Sequence, residues 1–230
     1  MDELTVVVTG GTRGIGKQAA RAFAGEGANV ALCGRDADAV EATVADVEST
    51  GGDATGLRAD VRDEFDVERL METAARFGGD GIDVVVANAG VYHGTPGRTP
   101  LTAESYAAFD DTFRVNCRGV YATIREALPH LADDGRVLVT TGGVGHQSKA
   151  GYGSYAVSKA GAEALVRGFS AELDRTVAGV DPGTVATGMT DGEGRDPEDV
   201  AGLFVWAATE ATEIDGDIVG VKRWRRATSE

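Results

Sequence analysis

The sequence predicts an α/β fold: one doubly wound domain over residues 1–230, with a parallel sheet of about seven strands flanked by helices. Short apolar runs alternate along the chain with longer stretches of helical periodicity. The short runs are apolar on both faces, which is typical of strands buried between two helix layers. No linker, repeat or low-complexity segment interrupts this alternation, so a single domain is expected.

The predicted elements follow from this alternation. Clear strand patterns cover Leu4–Val8, Asn29–Cys33, Ile82–Ala87, Arg136–Thr140 and Val177–Val180, and weaker ones cover Ala54–Arg58 and Asp217–Val221. Helical spacing covers Ile15–Gly25, Asp38–Ser49, Phe65–Phe77, Glu104–Leu131, Tyr152–Asp174 and Pro197–Thr209. Strand–helix–strand units place the carboxyl ends of the parallel strands at one edge of the sheet, where ligands bind.

Composition excludes several classes of function. The chain has 22 basic and 37 acidic residues, a formal net charge of −15, and nucleic-acid binding needs a basic face. Hydrophobic residues make up 42%, which excludes a disordered chain, and no apolar run is long enough to span a membrane. Only four of the 22 basic residues are lysines, and strong acidity with few lysines resembles the surface of proteins from salt-loving organisms.

The cysteines and the amino terminus suggest where the protein works. Cys33 and Cys117 are far apart and have no zinc-binding spacing, so we expect free thiols and no metal site. The acidic start runs directly into the first apolar segment, unlike a secretory signal. These features predict a cytoplasmic protein. The basic run Lys222–Arg226 is expected to be a solvated terminal segment.

A glycine-rich segment follows the first predicted strand and opens the first helix: Thr9-Gly10-Gly11-Thr12-Arg13-Gly14-Ile15-Gly16. Glycines there allow the backbone to approach a pyrophosphate, whose charge is stabilised by the free N–H groups of the helix N-terminus. The alternative is a purely structural turn. The position between strand and helix favours a dinucleotide site.

The spacing T-G-x-x-x-G-x-G resembles the short-chain dehydrogenase/reductase family, and further motifs match in family order along almost the whole chain. They are Asp60-Val61, Ala87-Asn88-Ala89-Gly90, Asn116, the Tyr155-x-x-x-Lys159 pair, and Pro182-Gly183 followed by Val185 and Thr187. In the second motif Ala87 replaces the first asparagine of the family's N-N-A-G. The resemblance implies a Rossmann-type fold, a nicotinamide cofactor, and hydride transfer between that cofactor and a small carbonyl or alcohol substrate.

The resemblance also implies which residues bind the cofactor: Gly10, Thr12, Arg13, Gly14, Ile15, Gly16, Arg35, Asp60, Val61, Asn88, Ala89, Gly90, Tyr155, Lys159, Pro182, Gly183, Val185 and Thr187. We expect NADP(H) rather than NAD(H). Gly34 stands where NAD-using relatives carry an acid, and Asp36 is better placed to cap the next helix. Arg13 and Arg35 could together bind a 2′-phosphate; the alternative is that both are solvated surface residues.

Tyr155 and Lys159 share one helix face because they are four residues apart. Tyrosine has an ordinary pKa of about 10, and a neighbouring ammonium favours its phenolate. By resemblance, Tyr155 exchanges a proton with the substrate oxygen, Lys159 lowers the pKa of Tyr155 and holds the nicotinamide ribose, and Asn116 positions a water.

The main departure from the family is Gly142, which stands where the family carries a substrate-binding serine thirteen residues before the tyrosine. Three explanations stay open. Thr141 could supply the hydroxyl, Ser148, Ser154 or an ordered water could substitute, or the protein could bind cofactor and catalyse little. By resemblance, Gly142, His146 and Tyr152 line the substrate pocket.

Two further expectations concern mobility and assembly. The glycine-containing stretch Thr187–Arg195 is expected to be a mobile lid. The resemblance implies a homodimer or homotetramer, with a dimer built on the two long predicted helices and a tetramer made doubtful by the atypical carboxyl terminus. Besides the oxidoreductase, a nucleotide-binding regulatory protein with weak turnover stays open because of Gly142, as does an epimerase or dehydratase.

Overall fold

A computed structural model describes residues 4–79 and 81–229. Its seven strands form one parallel sheet in the order β3-β2-β1-β4-β5-β6-β7, with every neighbouring pair parallel. The strands are β1 (Thr5–Val8), β2 (Asn29–Gly34), β3 (Ala54–Arg58), β4 (Ile82–Ala87), β5 (Leu131–Thr140), β6 (Thr176–Asp181) and β7 (Ile218–Gly220). The predicted doubly wound sheet of about seven strands is confirmed, including both weaker strand candidates.

The α-helices flank the sheet on both faces. They are α1 (Gly14–Gly25), α2 (Ala37–Glu48), α3 (Glu64–Gly78), α4 (Tyr106–Phe113), α5 (Gly119–Ala127), α6 (Gly153–Glu172), α7 (Glu198–Thr209) and α8 (Val221–Ala227). Side chains cap several of them: Asp36 accepts hydrogen bonds from Asp38 N and Ala39 N at 3.0 and 3.1 Å, as expected for the cap of α2.

Two hydrophobic cores lie on opposite faces of the sheet because strand side chains alternate. Val6 and Val8 of β1 point into the core with α1, α2 and α7, whereas Val7 points into the core with α3, α5 and α6. Phe23 and Phe204 fill the first core, and Leu70, Met71 and Ile124 belong to the second. Burial on both faces explains why the strands are apolar throughout.

Two predicted elements differ from the structure. The single helix predicted over Glu104–Leu131 is divided into α4 and α5 by a π-helical turn at Arg114–Arg118, and a 3-10 turn follows at Leu128–His130. The basic run Lys222–Arg226 is solvated as predicted, since its lysine and arginine side chains are exposed, but it is helical and forms α8, in which Trp224 packs over Gly202 of α7. Sequence periodicity missed both features because the π turn covers only five residues of a long helical stretch and because α8 is stabilised by packing.

The part of the chain that the structure describes contains no helix that is both long and apolar enough to cross a membrane.

The core assignment is testable at Phe204, which is fully buried in α7. Replacing Phe204 by alanine leaves a cavity, so we expect the free energy of unfolding to fall by about 3–5 kcal/mol in urea denaturation. Phe65→Ala is the matched control, because this ring is 71% exposed, and it should change stability by less than about 0.5 kcal/mol. Equal effects of the two substitutions would contradict the assignment.

Candidate active site

The carboxyl ends of β1, β4 and β5 are joined by side-chain hydrogen bonds. The Thr9 hydroxyl accepts from the backbone N–H groups of Asn88 and Ala89 at 3.1 and 3.2 Å. The Asn88 amide donates to the carbonyls of Thr9 and Gly10 at 3.1 and 3.2 Å, and its oxygen accepts from the Thr140 hydroxyl at 3.2 Å. The side chain of Asn88, a predicted cofactor ligand, therefore bonds to the protein itself and shapes the loop that borders the site.

The glycine loop between β1 and α1 is closely packed against this junction. Gly10 has a φ of +65°, and a Cβ there would lie 2.8 Å from the Cα of Ala89. A Cβ at Gly16 would collide with the Asn88 amide and the Gly10 carbonyl. Arg13 provides no side-chain cap for α1, which leaves the N–H groups of the first helical turn available to an anion. This loop fits a dinucleotide pyrophosphate, and Thr12, Gly14 and Ile15 belong to it.

The end of β2 packs against the glycine loop, and the acidic residue that follows it caps the next helix. Asp36 caps α2, and a Cβ at Gly34 would lie 3.0 Å from the Thr12 hydroxyl oxygen. Arg13 and Arg35 are both exposed, and neither has an ion-pair partner within residues 4–79 and 81–229. Two guanidinium groups are thus available beside the loop for a phosphate.

Asp60, which follows β3, is held by a partner that the sequence analysis did not identify. Arg62 donates hydrogen bonds to both carboxylate oxygens of Asp60, and the shortest joins its Nη2 to Asp60 Oδ2 at 2.6 Å. These bonds lower the pKa of Asp60. Arg62 also pairs with Asp111 at 2.7 Å. The adjacent Val61 is buried against Gly119 of α5. These contacts hold the loop after β3 on the second core.

Tyr155 and Lys159 lie on one face of α6, as predicted. The Lys159 ammonium is buried, donates to the Thr140 carbonyl at 2.8 Å, and lies 5.6 Å from the centre of the Tyr155 ring. Burial lowers the pKa of Lys159 to about 8. Burial, with smaller effects of Asp181 and two tyrosines, raises the pKa of Tyr155 to about 12. Desolvation thus outweighs any lowering of the Tyr155 pKa by Lys159 in this arrangement, and the role of Lys159 in setting that pKa stays a prediction.

Asn116 lies in the π-helical turn between α4 and α5, and its side chain is buried. Its amide nitrogen donates to the Val91 carbonyl at 3.0 Å and to the Ser158 hydroxyl at 2.9 Å, while its oxygen accepts from Val91 N at 2.8 Å. The side chain is therefore taken up by contacts that hold the β4 loop against α6.

Two of the hydroxyls that could replace the missing serine, those of Thr141 and Ser154, are buried. Both are engaged in other hydrogen bonds. Thr141 donates to Glu163 Oε1 at 2.9 Å, and Ser154 donates to Glu104 Oε1 at 2.6 Å. Ser148 is exposed. Gly142 has an extended backbone, and a Cβ there would meet no atom within 4 Å. The position is thus open, and neither Thr141 nor Ser154 has a free hydroxyl to serve it.

Glu104 is a residue of the site that sequence reasoning missed. The pattern placed it at the start of a helix, whereas α4 begins at Tyr106 and Glu104 instead accepts from Ser154 N, in the first turn of α6, at 2.6 Å. Tyr152, at the N-cap position of α6, provides no side-chain cap. Glu104 therefore caps the helix that carries Tyr155. Because this contact joins residues 50 positions apart, no local sequence signal could have predicted it.

Aromatic and imidazole groups surround the candidate pocket. The Tyr92 ring lies 4.8 Å from the Tyr155 ring, and its hydroxyl donates to the carbonyls of Thr95 and Gly151. Tyr152 is half-buried beneath the ammonium of Lys149. His146, the third predicted pocket residue, is half-exposed, and its Nδ1 lies 3.0 Å from Glu163 Oε1.

The loop after β6 meets the glycine loop from the opposite side. The N–H of Gly183, the residue after Pro182, donates to the Asp181 carboxylate at 2.8 Å. Further along the loop, Val185 forms a parallel β-bridge with Arg195. A Cβ at Gly14 would lie 3.1 Å from the Thr187 methyl, and one at Gly90 would lie 3.9 Å from the Met189 methyl. The predicted lid segment Thr187–Arg195 thus lies across both glycine-containing loops.

Among the described residues, no group of three or more His, Cys, Asp or Glu side chains is arranged to hold a metal ion.

Comparison with known proteins agrees with this geometry. The family model for short chain dehydrogenases matches residues 4–198. The chain belongs to the short-chain dehydrogenase family. It is 30% identical to a versicolorin reductase of Emericella nidulans, over 96% of this chain and 95% of that one. It is 31% identical to a 3-oxoacyl-[acyl-carrier-protein] reductase of Staphylococcus aureus, over 81% and 76%.

Solved structures show the same likeness. A short-chain dehydrogenase from Burkholderia cenocepacia, determined in complex with NADP, superimposes with a TM-score of 0.87 at 29% identity and covers 96% of both chains. Membership of this short-chain dehydrogenase family identifies the chain as an oxidoreductase with a nicotinamide cofactor and a small-molecule substrate.

The open space at Gly142 is testable against its neighbour Gly145. A Cβ at Gly145 would lie 2.8 Å from Glu163 Oε1 and 3.0 Å from the backbone of Lys159. Gly145→Ser should therefore lower the free energy of unfolding by about 1–3 kcal/mol, whereas Gly142→Ser should change it by less than about 0.5 kcal/mol. Urea denaturation of both variants checks this difference, and a strongly destabilised Gly142→Ser would show that the position is closed.

Proposed function

We propose that this short-chain dehydrogenase is an NADP(H)-dependent oxidoreductase that interconverts a carbonyl compound and its secondary alcohol, with Tyr155 as the acid/base. The observation that carries the proposal is the placement of Tyr155 and the buried Lys159 at the same sheet edge as the glycine loop. Bound nicotinamide would supply hydride transfer to or from the carbinol carbon.

The protonation states of the pair favour reduction of a carbonyl. With a pKa of about 12, Tyr155 is neutral at pH 7 and can donate its phenolic proton to a substrate oxygen. Lys159, with a pKa of about 8, still carries its proton at pH 7 and would stabilise the phenolate that remains. Asn116 holds the loop that brings Tyr92 against Tyr155.

Preference for NADP(H) over NAD(H) is supported by the two exposed arginines and by the use of Asp36 as a helix cap. A carboxylate used as a cap is less available to a ribose hydroxyl, and the guanidinium groups of Arg13 and Arg35 suit the 2′-phosphate. The structural relative from Burkholderia cenocepacia, which was determined with NADP, is consistent with this choice.

A second function is favoured by the arrangement around Gly142. With Thr141 and Ser154 engaged by carboxylates, the exposed Ser148 and an ordered water are the remaining substitutes for the serine hydroxyl. The loss of one such donor commonly lowers kcat by about 10²–10³. The alternative is therefore a cofactor-binding, regulatory member of the family with little turnover.

We also propose that the protein assembles as a homodimer or homotetramer. Tyr121 of α5 and Val157 of α6 are 41% and 36% exposed, so both helices present apolar side chains to solvent. Such side chains would suit an interface between copies of the chain.

The cofactor proposal predicts the effect of removing the arginines. Arg35→Ala and Arg13→Ala should each weaken NADPH binding about 10- to 100-fold, because each removes a charged hydrogen bond to the 2′-phosphate. NADH binding should not change. Cofactor fluorescence titration measures both affinities, with Arg226→Ala on α8 as the control. A wild-type preference for NADH would refute the assignment.

The catalytic proposal is tested by NADPH oxidation with three ketones as probes: cyclohexanone, acetophenone and ethyl acetoacetate. Tyr155→Phe should lower kcat about 10²- to 10⁴-fold, because the transferable proton is lost. Wild-type kcat should be constant below pH 8 and fall above it. Above that pH Lys159 loses its proton and with it the positive charge that stabilises the phenolate.

Tyr106→Phe is the matched control, since this ring is 90% exposed, and its kcat should equal that of the wild type. If the wild type binds NADPH tightly but oxidises it with none of the three probes, the regulatory alternative gains support over the oxidoreductase proposal. Full activity of Tyr155→Phe would remove Tyr155 from the mechanism.

A further inference from the structure

The proposed mechanism leaves one buried charge beside the site without a role. Glu163 lies on α6 one turn after Lys159, and only 4% of the residue is exposed. A carboxylate in such a place is destabilising unless hydrogen bonds and opposite charge compensate for its lost hydration. Its Oε1 atom accepts from the Thr141 hydroxyl at 2.9 Å and lies 3.0 Å from His146 Nδ1.

Lys159 and Glu163 together bind two consecutive residues at the end of β5. Lys159 donates to the Thr140 carbonyl, and Glu163 accepts from the hydroxyl of the next residue, Thr141. Both bonds connect α6 to the strand end from which the chain enters Gly142. The start of the pocket segment is therefore held at two points one helical turn apart.

The same carboxylate also fixes the far end of that segment. His146 bonds to Glu163, and Gly145 packs so closely that a Cβ would lie 2.8 Å from Glu163 Oε1. Gly142 lies between these two anchors. Residues 141–146 are thus held against α6 around the position that the family uses for its substrate-binding serine.

Glu163 also contributes to the charge balance of Lys159. Burial acts against the ammonium, and the groups that act in its favour are Cys117, Asp181 and Glu163. Tyr155 lies on the same face one turn earlier. Of these three groups, Glu163 is the one that lies on the same helix as Lys159, and it also holds the pocket segment.

We propose that Glu163 is a positioning residue of the active site, whose buried carboxylate holds residues 141–146 against α6 and lies one helical turn from Lys159. The proposal rests on the proposed function, because it concerns the lysine of that mechanism. Glu163 acts by positioning Lys159 and Gly142 and does not itself contact the substrate.

The decisive measurement follows Lys159 directly and needs no substrate. The chain has only four lysines, at positions 17, 149, 159 and 222, so the Lys159 resonance in protein labelled with ¹³C at lysine Cε can be assigned by its loss in Lys159→Arg. The wild-type resonance should titrate near pH 8. Glu163→Gln should lower the pKa of Lys159 by about one pH unit, because a nearby negative charge is removed.

Two variants make the result specific. Glu172→Gln removes an exposed carboxylate from the same helix and should leave the Lys159 titration unchanged. His146→Arg keeps Glu163 but places a permanent positive charge beside its carboxylate. That charge offsets the negative charge of Glu163, so this variant should also lower the pKa of Lys159. This second variant gives the answer if Glu163→Gln does not fold. An unshifted Lys159 in folded Glu163→Gln would overturn the proposal, and if that variant does not fold, an unshifted Lys159 in His146→Arg would overturn it.

Turnover separates this proposal from the proposed function. With a probe that the wild type reduces, Glu163→Gln should move the alkaline limb of the kcat profile to lower pH by the same amount as the Lys159 titration, with the NADPH affinity unchanged. A lower melting temperature without movement of that limb would reduce Glu163 to a structural role. Absence of wild-type turnover would favour the regulatory alternative over the proposed function, while the resonance of Lys159 still decides the role of Glu163.

Discussion

The candidate site depends on the contact between the end of β5 and α6, where the buried ammonium of Lys159 donates to the Thr140 carbonyl at 2.8 Å. This bond fixes the helix that carries Tyr155 against the sheet edge. The hydroxyl of the same threonine donates to Asn88, whose amide in turn holds the Thr9 and Gly10 carbonyls. One strand end thus connects the catalytic helix to the glycine loop, so displacement of β5 would disturb both halves of the site.

Desolvation accounts for the electrostatics of the pair. The same burial that makes the Lys159 bond strong moves its pKa to about 8 and that of Tyr155 to about 12, toward the neutral form of each. A neutral phenol beside a lysine that is still charged at pH 7 is suited to proton donation. Acidic groups near Lys159, Glu163 among them, oppose the loss of its charge.

The sequence predicted the features that arise from local pattern. Strand positions followed from apolar runs, the cap of α2 followed from Asp36, and the Tyr155–Lys159 face followed from four-residue spacing. These features depend on neighbours in the chain, so periodicity and capping chemistry are enough to find them.

What the sequence could not predict involves partners distant in the chain. Glu104 caps α6 across 50 residues, and Asn88 binds Thr9 across 79. The sign of the pKa shift of Tyr155 depends on burial, which spacing does not reveal. The Thr141 hydroxyl is engaged by the buried Glu163, 22 residues later in the chain, and no local pattern indicates this bond.

The most direct test of the account is transfer of label from NADPH that carries two deuterium atoms at C4 of the nicotinamide to a carbonyl probe, followed by mass spectrometry of the product. The account predicts an alcohol with one deuterium at the carbinol carbon from the wild type and none from Tyr155→Phe in the same time. A product alcohol without deuterium, or cofactor that stays fully deuterated with every carbonyl offered, would contradict it.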